Sequence, residues 1–371
     1  MGVAEEAYLQ EILKHFVIYG DFVSAKPFGS GHIHDTSLVE FSQAGIPVRY
    51  ILQRVNHEVF TRTRMVCENI ATVCEHIHRR LVDFRMPDIS RRCMTVIPAT
   101  NRLAFYQDHE GNFWRVFLFI EGTVAVNEVE SPAQAYQAAY AIGEFQRYLS
   151  DLSPAAIGES LPQFHHIGWR YENLEKAIAE NPAKRLDWVK AEVDFALQMK
   201  DQLMGILSLL DSGTIPVRVT HNDTKINNVL LDVSTGDGVC VIDLDTVMPG
   251  SVIYDFGDMV RTFTSPSPED ETDLSKVYLR MDIFHALTEG YLASAGEFLL
   301  PVEIENLVFG ARLITMIMGI RFLTDYLNGD IYYKIHYPEH NLHRCRNQFQ
   351  LTRSILENEA EMMSVVKNLM I

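Results

Sequence analysis

The chain has 371 residues, 47% of them hydrophobic, and carries 49 acidic against 32 basic side chains for a formal charge of −17. That is ample for a packed core and too long for one small domain, so two or three units are expected. The acidic balance argues against a general binder of nucleic acid or of an anionic membrane, without excluding a local basic pocket for a phosphate-bearing ligand.

The opening "MGVAEEAYLQEILKHF" has neither the basic start nor the apolar run of a signal peptide. Leu9, Ile12, Leu13, Phe16 and Val17 recur at helical spacing and predict a first helix. "FVSAKPFGSGHIHDTSLVEFS" reads as strand, glycine-containing turn, strand, and "VRYILQRV" as a third strand. Met65, Ile70, Val73, Ile77 and Leu81 share one face of a long helix, and "RLAFYQDHEGNFWRVFLFIEG" reads as a hairpin turning over Asp108 to Asn112. After "FIEGTVAV" the pattern becomes helical. "PAQAYQAAYAIGEFQRYLSDL" starts with a proline where a first helical turn accepts one, and a longer helical stretch is broken near Pro182. "VCVIDLDTVMPG" is a short strand and turn, and helices resume from Met281. The expected architecture is α+β and bilobal: a small β-sheet lobe with one long helix over residues 1–122, and a larger, mostly helical lobe over 123–371. A cleft between lobes is a common place for a ligand. Five cysteines without a C-x-x-C pair, and no apolar run approaching the ~18 residues of a membrane span, point to a cytoplasmic protein with no membrane partner.

The informative spacing lies in "THNDTKINNVLLD". His221 and Asp223 are followed by Asn228, five residues after the Asp, and by Asp243 at the end of the apolar strand in "VIDLD". A carboxylate such as Asp223 can orient a hydroxyl or take its proton, while Asn228 and Asp243 offer the hard oxygens that Mg²⁺ prefers. The metal can then bridge the phosphates of a nucleotide.

This pattern resembles the protein-kinase-like phosphotransferases, whose catalytic loop H-x-D-x-x-x-x-N is followed by a strand ending in a metal-binding Asp. Within them it looks like the aminoglycoside phosphotransferase and choline kinase branch. There the second motif is I-D-x-[DE], here "IDLD", so Asp245 would add a second metal carboxylate. The longer string "HNDTKINNVLLD … CVIDLDTVMPGSVIYDFGDMVRT" is similar to the bacterial N-acetylhexosamine 1-kinases, and 219–264 is the most specific part of a resemblance that covers most of the chain.

The resemblance implies that Asp223 is the catalytic base, that Asn228 and Asp243 hold Mg²⁺, and that Asp255 tethers the catalytic-loop backbone; a plain helix cap is the other reading of Asp255. His221 braces the loop, and Lys225 lies within reach of phosphate. Gly29, Ser30 and Gly31 would form the loop over the ATP phosphates, although a glycine pair alone is only a flexible hairpin. The Lys expected on the third strand is absent. Arg54 would replace it, pairing with Glu68 and binding phosphate through a fork instead of a point charge. For the sugar, His32 beside the glycines is one candidate. Arg321 and Tyr332 would face it by resemblance, while interior packing with a satisfied hydroxyl is the other reading of the tyrosines around Asn328-Gly329. The function implied is transfer of the γ-phosphoryl group of ATP to the anomeric hydroxyl of an N-acetylhexosamine. Choline, ethanolamine, homoserine or an aminoglycoside are alternative acceptors, and a nucleotide-binding pseudokinase or a metallohydrolase are readings of other classes. The expected partners are the small-molecule sugar and ATP, with no nucleic acid, in a monomer or weak dimer. A zinc site over His336, His340, His343 and Cys345 is discounted, because Pro338 breaks any continuous helix there.

Overall fold

The computed structural model describes residues 3–29 and 33–370. The first helix, α1 (Val3–Leu13), ends earlier than the apolar spacing suggests, and Phe16 leaves it to form an isolated bridge with Ala99. β1 (Asp21–Pro27), β2 (Asp35–Gln43) and β3 (Ile46–Val55) form an antiparallel meander, followed by α2 (Thr63–Asp83) and a single turn, α3 (Ile89–Arg92). β4 (Val96–Ile97), β5 (Tyr106–Gln107) and β6 (Phe113–Leu118) complete the sheet in the order β1-β2-β3-β6-β4, with β5 also on β6.

Two faces of this sheet do different work, because side chains alternate along a strand. Tyr50 and Leu52 of β3 join Trp114 and Val116 of β6 in a core with Leu9, Ile12 and Leu13 of α1. Val55 packs instead with Cys67 of α2, and Phe117 reaches the main helical core. Charged residues on β3 and β6 therefore reach the helical lobe only if they share parity with Val55 or Phe117.

The chain then crosses to the larger lobe through β7 (Thr123–Val124), α4 (Pro132–Leu149), α5 (Ile167–Glu180) and α6 (Lys190–Asp211). Ser131 caps α4 by accepting from the Gln134 amide, and Pro132 occupies its first turn. β8 (Arg218–Thr220), β9 (Val229–Asp232), β10 (Gly238–Val241) and β11 (Met248–Gly250) pair as β10-β9-β7 and β11-β8. The loop from β8 to β9 and the loop from β10 to β11 thus lie side by side. α7 (Val252–Thr264), α8 (Met281–Ala295), α9 (Pro301–Glu305), α10 (Leu307–Asn328) and α11 (His340–Asn368) build the helical mass. α7 crosses α10 with backbones in contact: a Cβ on Gly257 would strike the Gly310 carbonyl oxygen, and one on Gly310 would strike that of Ile253. Only glycine permits this approach, which fixes the first turn of α7 beneath the two loops.

The sequence reading of the apolar runs needs one correction. α10 has a window apolar and long enough to cross a membrane, with a mean hydropathy of 1.6, but 72% of that window is buried in this fold. A helix covered on every side by α5, α7 and α11 is apolar all round without any membrane. All five cysteines are free and buried.

Candidate active site

The two neighbouring loops, 221–228 and 242–247, carry most of the polar residues singled out in the sequence, and a hydrogen-bond lattice locks them together. His221 is fully buried. Its Nε2 donates to the Ile242 carbonyl at 2.9 Å, and its Nδ1 accepts from the Asp223 amide at 3.2 Å. Because a carbonyl can only accept, the proton sits on Nε2, and the neutral ring joins both loops. Asn222 adopts a left-handed φ of 65°. Its Nδ2 donates to the Thr220 and Thr246 carbonyls at 3.1 and 3.0 Å, and Thr246 Oγ1 donates to the His221 carbonyl at 2.7 Å.

Beneath the loop lies Asp255, with 0% of its surface exposed. Oδ1 accepts from the Asn222 amide at 2.6 Å, and Oδ2 accepts from the His221 amide at 2.9 Å and from Gln146 Nε2 at 2.7 Å. The Asp255 carbonyl accepts from Thr224 Oγ1 at 2.6 Å. Asp255 is therefore bonded to the loop backbone and is not the cap of α7, a position occupied by Ser251.

Asp223 is partly exposed. Asn228 Nδ2 donates to its carbonyl at 2.8 Å and to its Oδ2 at 3.2 Å, and Lys225 Nζ lies 3.0 Å from Oδ2. Burial works to raise the Asp223 carboxyl, but the charge of Lys225 outweighs it and holds the group below its ordinary value. Asp243, at a left-handed φ of 60°, keeps part of its surface in solvent although its carboxyl is crowded by protein. The protein wall strips water from Asp243, and repulsion from Asp245 and Asp223 adds to this, so its carboxyl is pushed up to about 7.

Asp245 is placed differently from the sequence expectation of a second metal carboxylate. Arg115 Nη1 and Nη2 donate to Oδ1 and Oδ2 at 2.6 and 2.7 Å, and His34 Nε2 lies 3.2 Å from Oδ2. Both oxygens are thus engaged by protein. Burial opposes the charge, yet Arg115 and His34 hold the carboxyl far below the usual carboxylate range. Ser160 Oγ donates to the Asp245 carbonyl at 3.1 Å, so this residue ties the sheet to the helical lobe.

Arg54 is the second correction. It is exposed and donates Nε to Asp35 Oδ2 at 2.8 Å, its direct cross-strand neighbour on β2. It shares parity with Tyr50 and Leu52, on the face turned from α2. Glu68 is also exposed, because the buried face of α2 runs through Val66, Cys67, Asn69 and Ile70. No Arg54–Glu68 pair forms. The buried cation facing the second lobe is Arg115, 3% exposed, whose Nε donates to Gln53 Oε1 at 2.9 Å. The signal was available: a lone charge inside the apolar run "FWRVFLF", two residues from Phe117.

Gly29 has a left-handed φ of 82° at the end of β1, while Ser30, Gly31 and His32 lie outside the described residues. On the far side of loop 221–228, the Arg321 guanidinium lies 5.1 Å from the Phe164 ring and 6.0 and 5.5 Å from those of Tyr332 and Tyr333. Tyr332 is 68% exposed, and Tyr333 is packed against the core. Buried Asp325 holds this turn by accepting from the Ile331, Tyr332 and Tyr333 amides at 3.0, 2.8 and 2.9 Å. His165, which the sequence reading passed over, donates Nε2 to the Asn222 carbonyl at 3.0 Å.

A partly exposed acid, a carboxamide and a second carboxylate on locked adjoining loops can position a hydroxyl against a phosphate held by a hard cation. Solved structures resemble this chain over nearly its whole length. An aminoglycoside phosphotransferase from Alicyclobacillus acidocaldarius is 12% identical, with a TM-score of 0.62 over 97% of this chain and 96% of the other. A choline kinase from Cryptosporidium parvum is 12% identical, with a TM-score of 0.56 over 98% and 97%. Spectinomycin phosphotransferase in complex with ADP and spectinomycin is 13% identical, with a TM-score of 0.53 over 98% of both chains. At these identities the likenesses show the fold, which is protein-kinase-like. The description "phosphotransferase enzyme family" matches residues 24–287, well over half of the chain, and the protein therefore belongs to that family.

Proposed function

We propose that this phosphotransferase moves the γ-phosphoryl group of ATP to a hydroxyl of a small sugar, specifically the anomeric hydroxyl of an N-acetylhexosamine. The observation that carries the reading is the junction of Asp223, Asn228 and Asp243 on two loops fastened by His221, Asn222 and Asp255. Asp223 would orient the acceptor hydroxyl and take its proton as the new P–O bond forms and the bond to the leaving ADP oxygen breaks. Its depressed pKa keeps it ionised, which suits an orienting role and a late proton transfer. Lys225, partly exposed and paired with Asp223, would turn toward a phosphate oxygen when one is bound.

The residues present fit a hard divalent cation. Asp243 offers a carboxylate crowded by like charges, and the Asn228 carboxamide oxygen accepts no hydrogen bond from a described residue. Bound between them, Mg²⁺ would draw negative charge off the β- and γ-phosphate oxygens. The role of phosphate-facing arginine is not proposed for Arg54, whose guanidinium is spent on Asp35.

The acceptors named for the structural neighbours, an aminoglycoside, choline and spectinomycin, mark the alternatives. An ADP-release screen over N-acetylhexosamines, hexoses, choline, ethanolamine, homoserine and aminoglycosides separates them, with phosphorus NMR of the product. Coupling of the new phosphate to an anomeric proton is expected. Phosphate on a 6-hydroxyl or on an amino alcohol would refute the substrate reading. Asp223→Ala should lower kcat by about 10²–10⁴ with an unchanged melting temperature, and near-normal turnover would refute the assigned role.

A further inference from the structure

Resting on the sugar-kinase reading, we infer that Arg170, His165 and Tyr333 join Arg321 in a subsite that reads a secondary amide, the N-acyl group of the acceptor. Arg170, near the start of α5, donates Nη2 to the Phe164 carbonyl at 2.6 Å, and its Nε is buried without a partner. Arg321 lies over the Phe164 ring, and among the described residues its one polar contact is Nη1 to Met318 Sδ at 3.4 Å. Among the described residues neither guanidinium has a carboxylate partner. Two more buried polar atoms here are unpartnered, His165 Nδ1 and Tyr333 Oη, and His165 is only 7% exposed. His165 grips the carbonyl of the residue before Asp223, so the group is attached to the loop that carries the proposed base.

Leaving such groups unpaired in the interior is costly, and several of them gathered next to the loop of Asp223 mark a place where a ligand can supply the partners. Burial and the neighbouring Arg321 push Arg170 down to about 9, and burial holds His165 down to about 3, so His165 is neutral. With its Nε2 proton given to the Asn222 carbonyl, His165 Nδ1 can only accept. The cluster therefore presents guanidinium and phenol donors beside one acceptor. A secondary amide matches this, its carbonyl oxygen facing the arginines and its N–H facing His165 Nδ1. A carboxylate would satisfy the arginines but leave Nδ1 unpaired, and an ammonium group would meet two guanidiniums.

The test uses the purified full chain. Calorimetry without nucleotide measures N-acetylglucosamine, glucose, glucosamine and glucuronate, and steady-state ADP release measures kcat/KM for each. One hydrogen bond to a charged group is worth about 10- to 100-fold here, so the wild type should favour the N-acetyl sugar over glucose by at least that factor and bind glucosamine least. Arg170→Gln should raise KM for the N-acetyl sugar about tenfold or more and narrow its advantage over glucose. Equal binding of the N-acetyl sugar and glucose by the wild type overturns the inference without need of any variant. Preference for glucuronate overturns it in favour of a carboxylate, and retention of the full N-acetyl preference by Arg170→Gln overturns the role of that residue. Amide-dependent binding without turnover on any sugar would keep the subsite and refute the sugar-kinase reading.

Discussion

Asp255→Asn changes one atom and should loosen the loop that carries Asp223. In the native arrangement one carboxylate oxygen receives the Asn222 amide at 2.6 Å, and the other receives the His221 amide at 2.9 Å and Gln146 Nε2 at 2.7 Å. An asparagine must turn its NH₂ toward one of these sets. The milder choice keeps His221 and Gln146 and opposes the Asn222 N–H with another N–H. The other choice would set the NH₂ against the His221 N–H and Gln146 Nε2 together, and flipping Gln146 would take its Oε1 from the Tyr291 hydroxyl that donates to it at 2.6 Å. Losing one hydrogen bond to a charged group and leaving a buried donor unmatched costs about 2–3 kcal/mol. Because Asn222 immediately precedes Asp223, the displaced backbone should also misplace the acid, and a shift of ~1 Å there can cost about 10²-fold in rate. Urea denaturation and steady-state ADP release read the two effects. The expected result is a lower midpoint and a kcat reduced about 10- to 100-fold, with the KM for ATP little changed. A variant with native midpoint and native kcat would refute the argument that Asp255 positions the loop.

Other consequences follow from the charges. Asp243 has a folded pKa of about 7, above its unfolded value, so between the two the native state retains a proton that the unfolded chain has lost, and stability without metal falls as pH rises through that window. Asp243→Asn should therefore raise the melting temperature at pH 8 in EDTA, raise it much less at pH 5, and abolish phosphoryl transfer; an equal gain at both values would contradict the raised pKa. Arg115→Met removes the bidentate partner of buried Asp245, leaving only His34 beside it, and should cost about 3–5 kcal/mol, whereas Arg54→Ala removes an exposed pair worth about 1 kcal/mol or less. Urea midpoints decide between them, and a large loss of ATP affinity in Arg54→Ala would restore Arg54 to the phosphate site.

Local order along the chain carried much of what is visible without coordinates. The strand meander, the long helix after it and the change to a helical lobe follow from apolar periodicity, and the protein-kinase-like fold agrees with them. His221, Asp223 and Asn228 lie within one loop because eight residues cannot travel far, and the apolar flanks of β8 and β9 bury its ends. The identities of charged partners were not visible in the same way. Arg54 and Arg115 are both arginines on neighbouring strands, and only parity, together with knowledge of which face α1 covers, separates the exposed one from the buried one.

What the sequence by itself determined is therefore the set of chemical groups and the loops that hold them: a base, a carboxamide and a carboxylate at spacings set by short segments. Only the tertiary structure decided which of them are free to act. Asp245 is engaged by Arg115, 130 residues away, and by His34, 211 residues away. The proposed amide subsite draws Arg170, Arg321 and Tyr333 from segments that meet only when α5 packs on α10. The physical reason is the same in each case: spacing along the chain fixes what is close in sequence, but a charge is paired or left free by what the packing of distant elements brings against it.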